Sequence, residues 1–271
     1  MFETNKTGKQ PVVLSIAGSD NSGGAGIQAD IKTCCALCVY AATTITAVTS
    51  QNSNHVYAVD VCSLNIIESQ IDSIMETIRP DAVKIGMLPT PEIIRMIAGK
   101  LKYYKLNNIV VDPVMVATNG DSLIKGGSKT IDAIIDYLFP LATIVTPNIP
   151  EAETLIGSAS LNIKDTCEKL VKDCNMSAVL LKGGHCEDEK ATDLLFDGKE
   201  FTTFSQPRIK SINTHGTGCT LSSAIACGLA KKQTLKQAVA NAKDFIFNAI
   251  RYAEDINVTK GPGPLNFLWY K

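Results

Sequence analysis

In "NTHGTGCTLSSAIACGLA", Asn213 to Ala230, a glycine-rich turn runs into an apolar segment, with a cysteine where that segment begins. Leu221, Ile225, Ala226 and Leu229 recur at helical spacing, which predicts a helix over about 217–231. A turn of this kind at a helix N-terminus presents unpaired N–H groups and about half a unit of positive charge, an arrangement suited to phosphate. It is not a Walker loop, because no G-K-[ST] follows Gly216-Thr217-Gly218. Cys219 falls in the first turn, where the same dipole favours a thiolate. The plainer reading is a small core residue, like Cys227 two turns deeper in the same helix.

Three further stretches carry chemistry-bearing residues. In "AGSDNSGGAGIQAD", Gly24 to Ala29 match G-x-G-x-x-A after a strand and at a helix start. A dinucleotide fold also wants an acid about 20 positions later, and "TAVTSQNSN" has none. The glycines still allow close backbone approach to a ligand. Asp30, just over one turn into that helix, either faces a site or decorates the surface. In "TPNIPEAE", Asn148 and Glu151 follow a strand as N-x-x-E. Glu151 and Glu153 in a first turn serve most simply as helix caps. An amide and a carboxylate at this spacing also suit hydrated Mg²⁺, which takes few carboxylates together with phosphate oxygens, and Asp112 at the end of "NIVVD" suits it equally. In "LLKGGH", Lys182 at a strand end is placed either to reach a phosphate or to be solvated.

These residues need elements to hold them. Short β-rich runs alternate with longer helical segments. The predicted strands are "VVLSIAG", "TTITAVTSQ", "DAVKIGM", "NIVVDPVM", "TIVTPN" and "SAVLLKGG", nearly continuous in apolar residues as strands covered on both faces are. The predicted helices lie at about 24–38, 64–78, 90–105, 127–138, 149–156 and 163–174, with two more at 217–231 and 235–253. Such alternation implies parallel strands with crossover helices. "ATDLLFDGKEFTTFSQ" breaks it as a hairpin turning at Asp197-Gly198. No repeat or linker divides the chain, so we expect residues 1–10 as an N-terminal extension and 11–271 as a single domain. Ligands in such sheets bind beyond the carboxyl ends of the strands. Those ends offer Gly18–Asp20, Gln51–Asn52, Gly86–Met87, Asp112–Pro113, Asn148 and Lys182–Gly184.

Composition excludes several classes. With 26 basic against 27 acidic residues the net charge is −1, without the basic stripe of a nucleic-acid binder. No run approaches 18 apolar residues, and the polar start "MFETNKTGKQ" precedes an apolar run too short for a signal peptide. Nine cysteines, an odd number and several within apolar segments, do not suggest a disulfide framework. Cys34, Cys35 and Cys38 are read as helix packing and not as a zinc site, and His55 and His185 as loop residues. A reduced, cytoplasmic protein with no membrane partner is expected.

In order along nearly the whole chain, "IAGSDNSGGAGIQADIKT", "ITAVTSQN", "KIGMLPT", "VVDPVM", "TPNIPEAE", "LLKGGH", "TDLLFDG" and "NTHGTGCTLSSAI" resemble the ribokinase-like kinases, and among them the hydroxymethylpyrimidine/phosphomethylpyrimidine kinases of thiamin biosynthesis. The resemblance implies a three-layer α/β/α fold with a mostly parallel sheet and a small β-hairpin. It implies ATP- and Mg²⁺-dependent phosphorylation of 4-amino-5-hydroxymethyl-2-methylpyrimidine, then of its monophosphate, by a homodimer. Cys219 takes the place of the aspartate base of most relatives, and the amides of Gly216, Thr217 and Gly218 would stabilise charge on the transferring group. The pyrimidine side maps onto Gly18, Asp30, Gln51 and Met87. The Mg-ATP side maps onto Asp112, Asn148, Glu151 and Lys182, with Asn148 and Glu151 holding the metal through water and phosphate. The rival within the branch is a pyridoxal kinase, which lacks the glutamine of "TSQN". A pyrimidine sensor without turnover and a ribose-type kinase are the other readings; the latter would place aspartate at 219. Cys38 stands where the family often has glycine, and the tail "GPGPLNF" lacks the family's usual histidine.

Overall fold

Successive strand residues point into two different cores, and this alternation builds the layers. Val13, Ala82, Val110, Ile144, Leu180 and Leu195 pack with one group of helices. Their neighbours Leu14, Val83, Val111, Val145, Leu181 and Leu194 pack with another. The computed structural model describes residues 8–52, 54–115, 126–157, 162–183, 189–256, 258–259 and 261–270. Gly184 and His185 of the "LLKGGH" motif lie outside them, as do the first seven residues of the expected N-terminal extension.

The strands are β1 (Val12–Asp20), β2 (Tyr40–Gln51), β3 (Val56–Val61), β4 (Ala82–Ile85), β5 (Ile109–Val111), β6 (Ile144–Val145), β7 (Val179–Leu181), β8 (Lys190–Phe196) and β9 (Phe201–Pro207). They form one sheet in the order β3-β2-β1-β4-β5-β6-β7-β8-β9. The pairs from β2 through β7 are parallel, and the antiparallel strands β3, β8 and β9 lie at its margins. The helices are α1 (Gly26–Ala36), α2 (Leu64–Thr77), α3 (Pro91–Tyr103), α4 (Ser128–Ala133), α5 (Ile149–Ile156), α6 (Ile163–Asp173), α7 (Thr217–Ala230) and α8 (Leu235–Arg251). Helices α1, α7 and α8 cover one face, and α2 to α6 the other. This is the three-layer arrangement that the resemblance implies. The segment at 127–138 forms as α4 running into a π-helical turn, Ile134–Leu138.

Strand β3 was not among the predicted elements. It pairs only with β2, and three of its six residues are exposed. An edge strand without a buried apolar face gives little periodic signal. The hairpin turns at 197–200, where Gly198 has φ +82° and the Asp197 carboxylate accepts the N–H groups of Lys199 and Glu200. Cys38 has φ +58°, a left-handed conformation that glycine adopts at least cost. Cys34 is buried as expected, with its sulfur 3.5 Å from that of Cys227, but Cys35 is exposed. No helix among the described residues is long and apolar enough to cross a membrane.

The chain runs from β1 to β2 in one direction and from β4 onward in the other, so the strand order reverses beside β1. That reversal opens a crevice at the carboxyl ends, the usual ligand position in such sheets.

Candidate active site

A cavity of about 630 Å³ occupies that crevice. Of the predicted site residues, Gly18, Gln51, Met87, Asp112, Asn148, Glu151, Lys182 and Gly216 through Cys219 all line it.

Two glycine turns from opposite ends of the chain meet at its centre. Gly216 has φ +85° and caps α7; a Cβ there would overlap the carbonyl oxygen of Gly24. Gly26 has φ +57° and begins α1; a Cβ there would overlap the carbonyl oxygen of Gly18. Only glycine lets the backbones approach so closely. The turns are pinned by His215, whose Nε2 lies 2.9 Å from Asp20 Oδ2. Burial alone would raise the Asp20 carboxyl, but hydrogen bonds from His215, Ser22 and Ala25 hold it well below the usual carboxylate range. Nothing local to either residue signals this pair, since they stand 195 positions apart.

Cys219 lies where the two helix starts converge, with the Gly26 amide placed to favour its thiolate. Helix dipoles led to the expectation of a thiolate. The structure gives the opposite direction. Burial pushes the thiol up to about 11; the Lys84 ammonium and the Gly26 amide oppose this, and Asp30 and Asp112 add to it. Of the amides expected to hold an anion, that of Thr217 already donates to the Thr214 carbonyl at 3.2 Å. Among the described residues, the amides of Gly216, Gly218 and Cys219 carry no protein acceptor. The Cys219 amide therefore joins the set, a role that the glycine pattern of the turn does not signal because it ends at Gly218.

Asp30 does not line the cavity and is not on the surface. Its carboxylate is wholly buried, takes the Lys84 ammonium at 2.9 Å on both oxygens, and accepts the hydroxyls of Ser15 and Ser223 at 2.6 and 2.7 Å. Its lone pairs are committed to the interior, so a direct contact with substrate is not what this placement offers. Lys84, itself fully buried on β4, was read only as a strand residue. Burial would pull its ammonium down, but the charges of Asp30, Cys219 and Asp112 outweigh this and hold it above the usual range.

At the pyrimidine side of the expected site, Gln51 ends β2 with its backbone N–H fixed by Asn21 Oδ1 at 2.7 Å. No protein partner holds its side-chain amide among the described residues, so both its donor and its acceptor remain available. Met87 follows β4; a Cβ on Gly18 would come 2.9 Å from its sulfur, so glycine there makes room for the methionine.

At the other side, Lys182 follows β7 and reaches Asp112 Oδ1 at 3.0 Å and Glu151 Oε2 at 3.9 Å. Those carboxylates outweigh burial and hold the ammonium above its ordinary range. Asn148 and Glu151 form a full capping box on α5: Asn148 Oδ1 accepts the Glu151 N–H and Glu151 Oε2 accepts the Asn148 N–H, each at 2.8 Å. The capping role and the site role thus coexist, because the box leaves Glu151 Oε1 and Asn148 Nδ2 uncommitted among the described residues. Burial, with Asp112 nearby, outweighs Lys182 and raises the Glu151 carboxyl. Among the described residues no group of three His, Cys, Asp or Glu side chains could enclose a metal alone. Two carboxylates, Asp112 and Glu151, do suit an ion that keeps its waters and borrows phosphate oxygens. Gly218 joins the two halves: a Cβ on it would stand 3.3 Å from Asp112 Oδ2 and 3.4 Å from Lys182 Nζ. Beyond this cluster the cavity wall continues through Asp193, Lys243, Phe247 and Ile250, none of them singled out from the sequence.

The family model described as phosphomethylpyrimidine kinase matches residues 20–266. A hydroxymethylpyrimidine/phosphomethylpyrimidine kinase of Rhizobium meliloti is 44% identical over 96% of this chain and 98% of its own length. The solved phosphomethylpyrimidine kinase of Clostridium difficile is 43% identical, covers 89% of this chain and 100% of its own, and superposes with a TM-score of 0.77. The pyridoxal kinase of Staphylococcus aureus, solved with AMP-PCP and pyridoxal, is 33% identical over 97% of this chain and 95% of its own, with a TM-score of 0.87. The chain spans about half the length of the bifunctional thiamine-biosynthesis relatives it also matches.

Proposed function

The chain belongs to the phosphomethylpyrimidine kinase family, and we propose that it transfers the γ-phosphoryl group of ATP to the hydroxymethyl oxygen of an aminopyrimidine, and then a second phosphoryl group to the monophosphate. The observation that carries this reading is the single cavity that joins Gln51 to the Cys219 turn and to the Lys182–Asp112–Glu151 cluster. Gln51 offers one donor and one acceptor, which match the amine and adjacent ring nitrogen of an aminopyrimidine. The ATP analogue bound by the related pyridoxal kinase supports ATP as donor.

Phosphoryl transfer asks for alignment and charge neutralisation more than for covalent chemistry. The free amides of Gly216, Gly218 and Cys219 stabilise negative charge on the transferring group. Lys182, whose Nζ would stand 3.4 Å from a Cβ on Gly218, neutralises the phosphate chain beside those amides. Mg²⁺, held by Asp112 and Glu151 with Asn148 acting through water, would supply charge compensation to the phosphates. The hydroxyl proton passes to the Cys219 sulfur, which accepts it in its minor thiolate form. Asp30 acts from behind, holding Lys84 where its charge favours that form. The same reading takes residues 11–271 as one domain, cytoplasmic and homodimeric.

Pyridoxal phosphorylation is the second reading, favoured by the superposition on pyridoxal kinases. Substitution of Gln51 separates the two. Gln51→Leu is expected to lower kcat/KM for the aminopyrimidine about ten- to a hundredfold, the effect of leaving buried polar groups unpaired, while any pyridoxal turnover changes little. Steady-state rates on both substrates provide the check. A wild-type enzyme that prefers pyridoxal, with Gln51→Leu neutral on the pyrimidine, would reverse the assignment.

A further inference from the structure

The β7–β8 ladder ends one step before the site. Leu181 pairs with Leu194 as the last rung. Beyond it the Gly183 N–H has no strand carbonyl to meet and instead donates to Asp193 Oδ1 at 3.0 Å. Gly183 lies directly on the β8 backbone, where a Cβ would overlap the Thr192 carbonyl oxygen. The second oxygen of Asp193 takes Lys243 Nζ of α8 at 2.7 Å. Both side chains are buried, at 5% and 8% exposure, and both line the cavity. A neutral side chain would satisfy Gly183 without the desolvation a buried ion pair brings. A carboxylate grips the amide more tightly, because charge-assisted hydrogen bonds are roughly twice as strong as neutral ones. The residue immediately before this amide is Lys182, whose ammonium faces Asp112 and Glu151.

We propose that Asp193 is a positioning residue for nucleotide binding: it anchors the Gly183 amide, with Lys243 as counter-charge, and so fixes the strand end that presents Lys182. This rests on the kinase reading above, and it assigns a task to "TDLLFDG", which neither the pyrimidine nor the phosphate side had absorbed. The anchor acts on Lys182 through the backbone, so it governs nucleotide affinity and leaves the Gln51 end of the cavity alone.

The test compares two double variants that both remove the buried charge pair. D193N/K243M keeps an oxygen to accept the Gly183 N–H, and D193L/K243M does not. Calorimetric titration with Mg-AMP-PCP and separately with the aminopyrimidine gives both affinities, and melting curves give folding. D193L/K243M is expected to bind the nucleotide about tenfold more weakly than D193N/K243M, the scale of one buried donor left unpaired, with pyrimidine affinity equal within about twofold. Equal nucleotide affinities in the two variants would overturn the proposal and leave the kinase reading standing. A parallel loss of pyrimidine affinity would also overturn it, since that marks general loosening of the fold. A wild-type protein that binds no nucleotide would overturn the kinase reading itself, and the anchor with it.

Discussion

Cys219→Ala is expected to lower kcat about 10²- to 10⁴-fold, the range for loss of a positioned proton acceptor, while the melting temperature and the affinity for Mg-AMP-PCP stay near those of the wild type. The sulfur lies at the junction of two helix starts, whose close approach depends on Gly216 and Gly26, and alanine at 219 leaves that backbone arrangement intact. The accompanying pH dependence is sharper still. Burial raises the thiol to about 11, above its ordinary value, so at neutral pH the proton stays on sulfur and the thiolate is the minor form. The reactive fraction then grows as pH rises, and kcat/KM, which reports the free enzyme, should climb about tenfold per pH unit between neutrality and the raised value. Cys219→Ala should flatten that climb. A wild-type profile flat from pH 7 upward, or a variant with unchanged turnover, would remove Cys219 from the proton-transfer step.

Lys84→Met is expected to be the most damaging single change for stability. The Lys84 ammonium and the Asp30 carboxylate lie 2.9 Å apart and both are wholly buried. Removing one partner of such a pair leaves an uncompensated charge and costs about 3–5 kcal/mol, a large share of a typical total of roughly 5–15 kcal/mol. In a chain of this size that lowers the melting temperature on the order of 10 °C. Lys84→Met/Asp30→Asn removes both charges and should recover part of the loss, although Ser15 and Ser223 then face an amide. Thermal unfolding of the two variants checks this; a single variant within about 2 °C of the wild type contradicts it. The folded fraction of Lys84→Met carries a second signature. Without the neighbouring ammonium the Cys219 thiolate loses its main support, so the alkaline climb in kcat/KM should move to still higher pH.

Much of this site was legible in the sequence because strand ends in a parallel sheet collect at one edge. Gly18, Gln51, Met87, Asp112, Asn148 and Lys182 each follow or end an apolar run, and each reaches the same cavity. What escaped was pairing at long range. Asp20 and His215 look like ordinary turn residues until two glycine turns bring them to 2.9 Å. Lys84 reads as a polar residue within a strand, and Asp30 as a helix residue of undecided face. Only the packing of α1 and α7 on the sheet shows that each is the other's reason for being buried. The direction of the Cys219 shift was misjudged for a related cause. A helix start favours a thiolate locally, but burial and two nearby carboxylates are properties of the assembled cavity.

The most direct test is a phosphorus-31 NMR time course with wild-type enzyme, Mg-ATP and equal amounts of the aminopyrimidine and pyridoxal. The expected result is the aminopyrimidine monophosphate appearing first, then declining as the diphosphate accumulates, with little pyridoxal phosphate. Pyridoxal phosphate as the main product, or ATP left intact while the pyrimidine binds, would contradict the account.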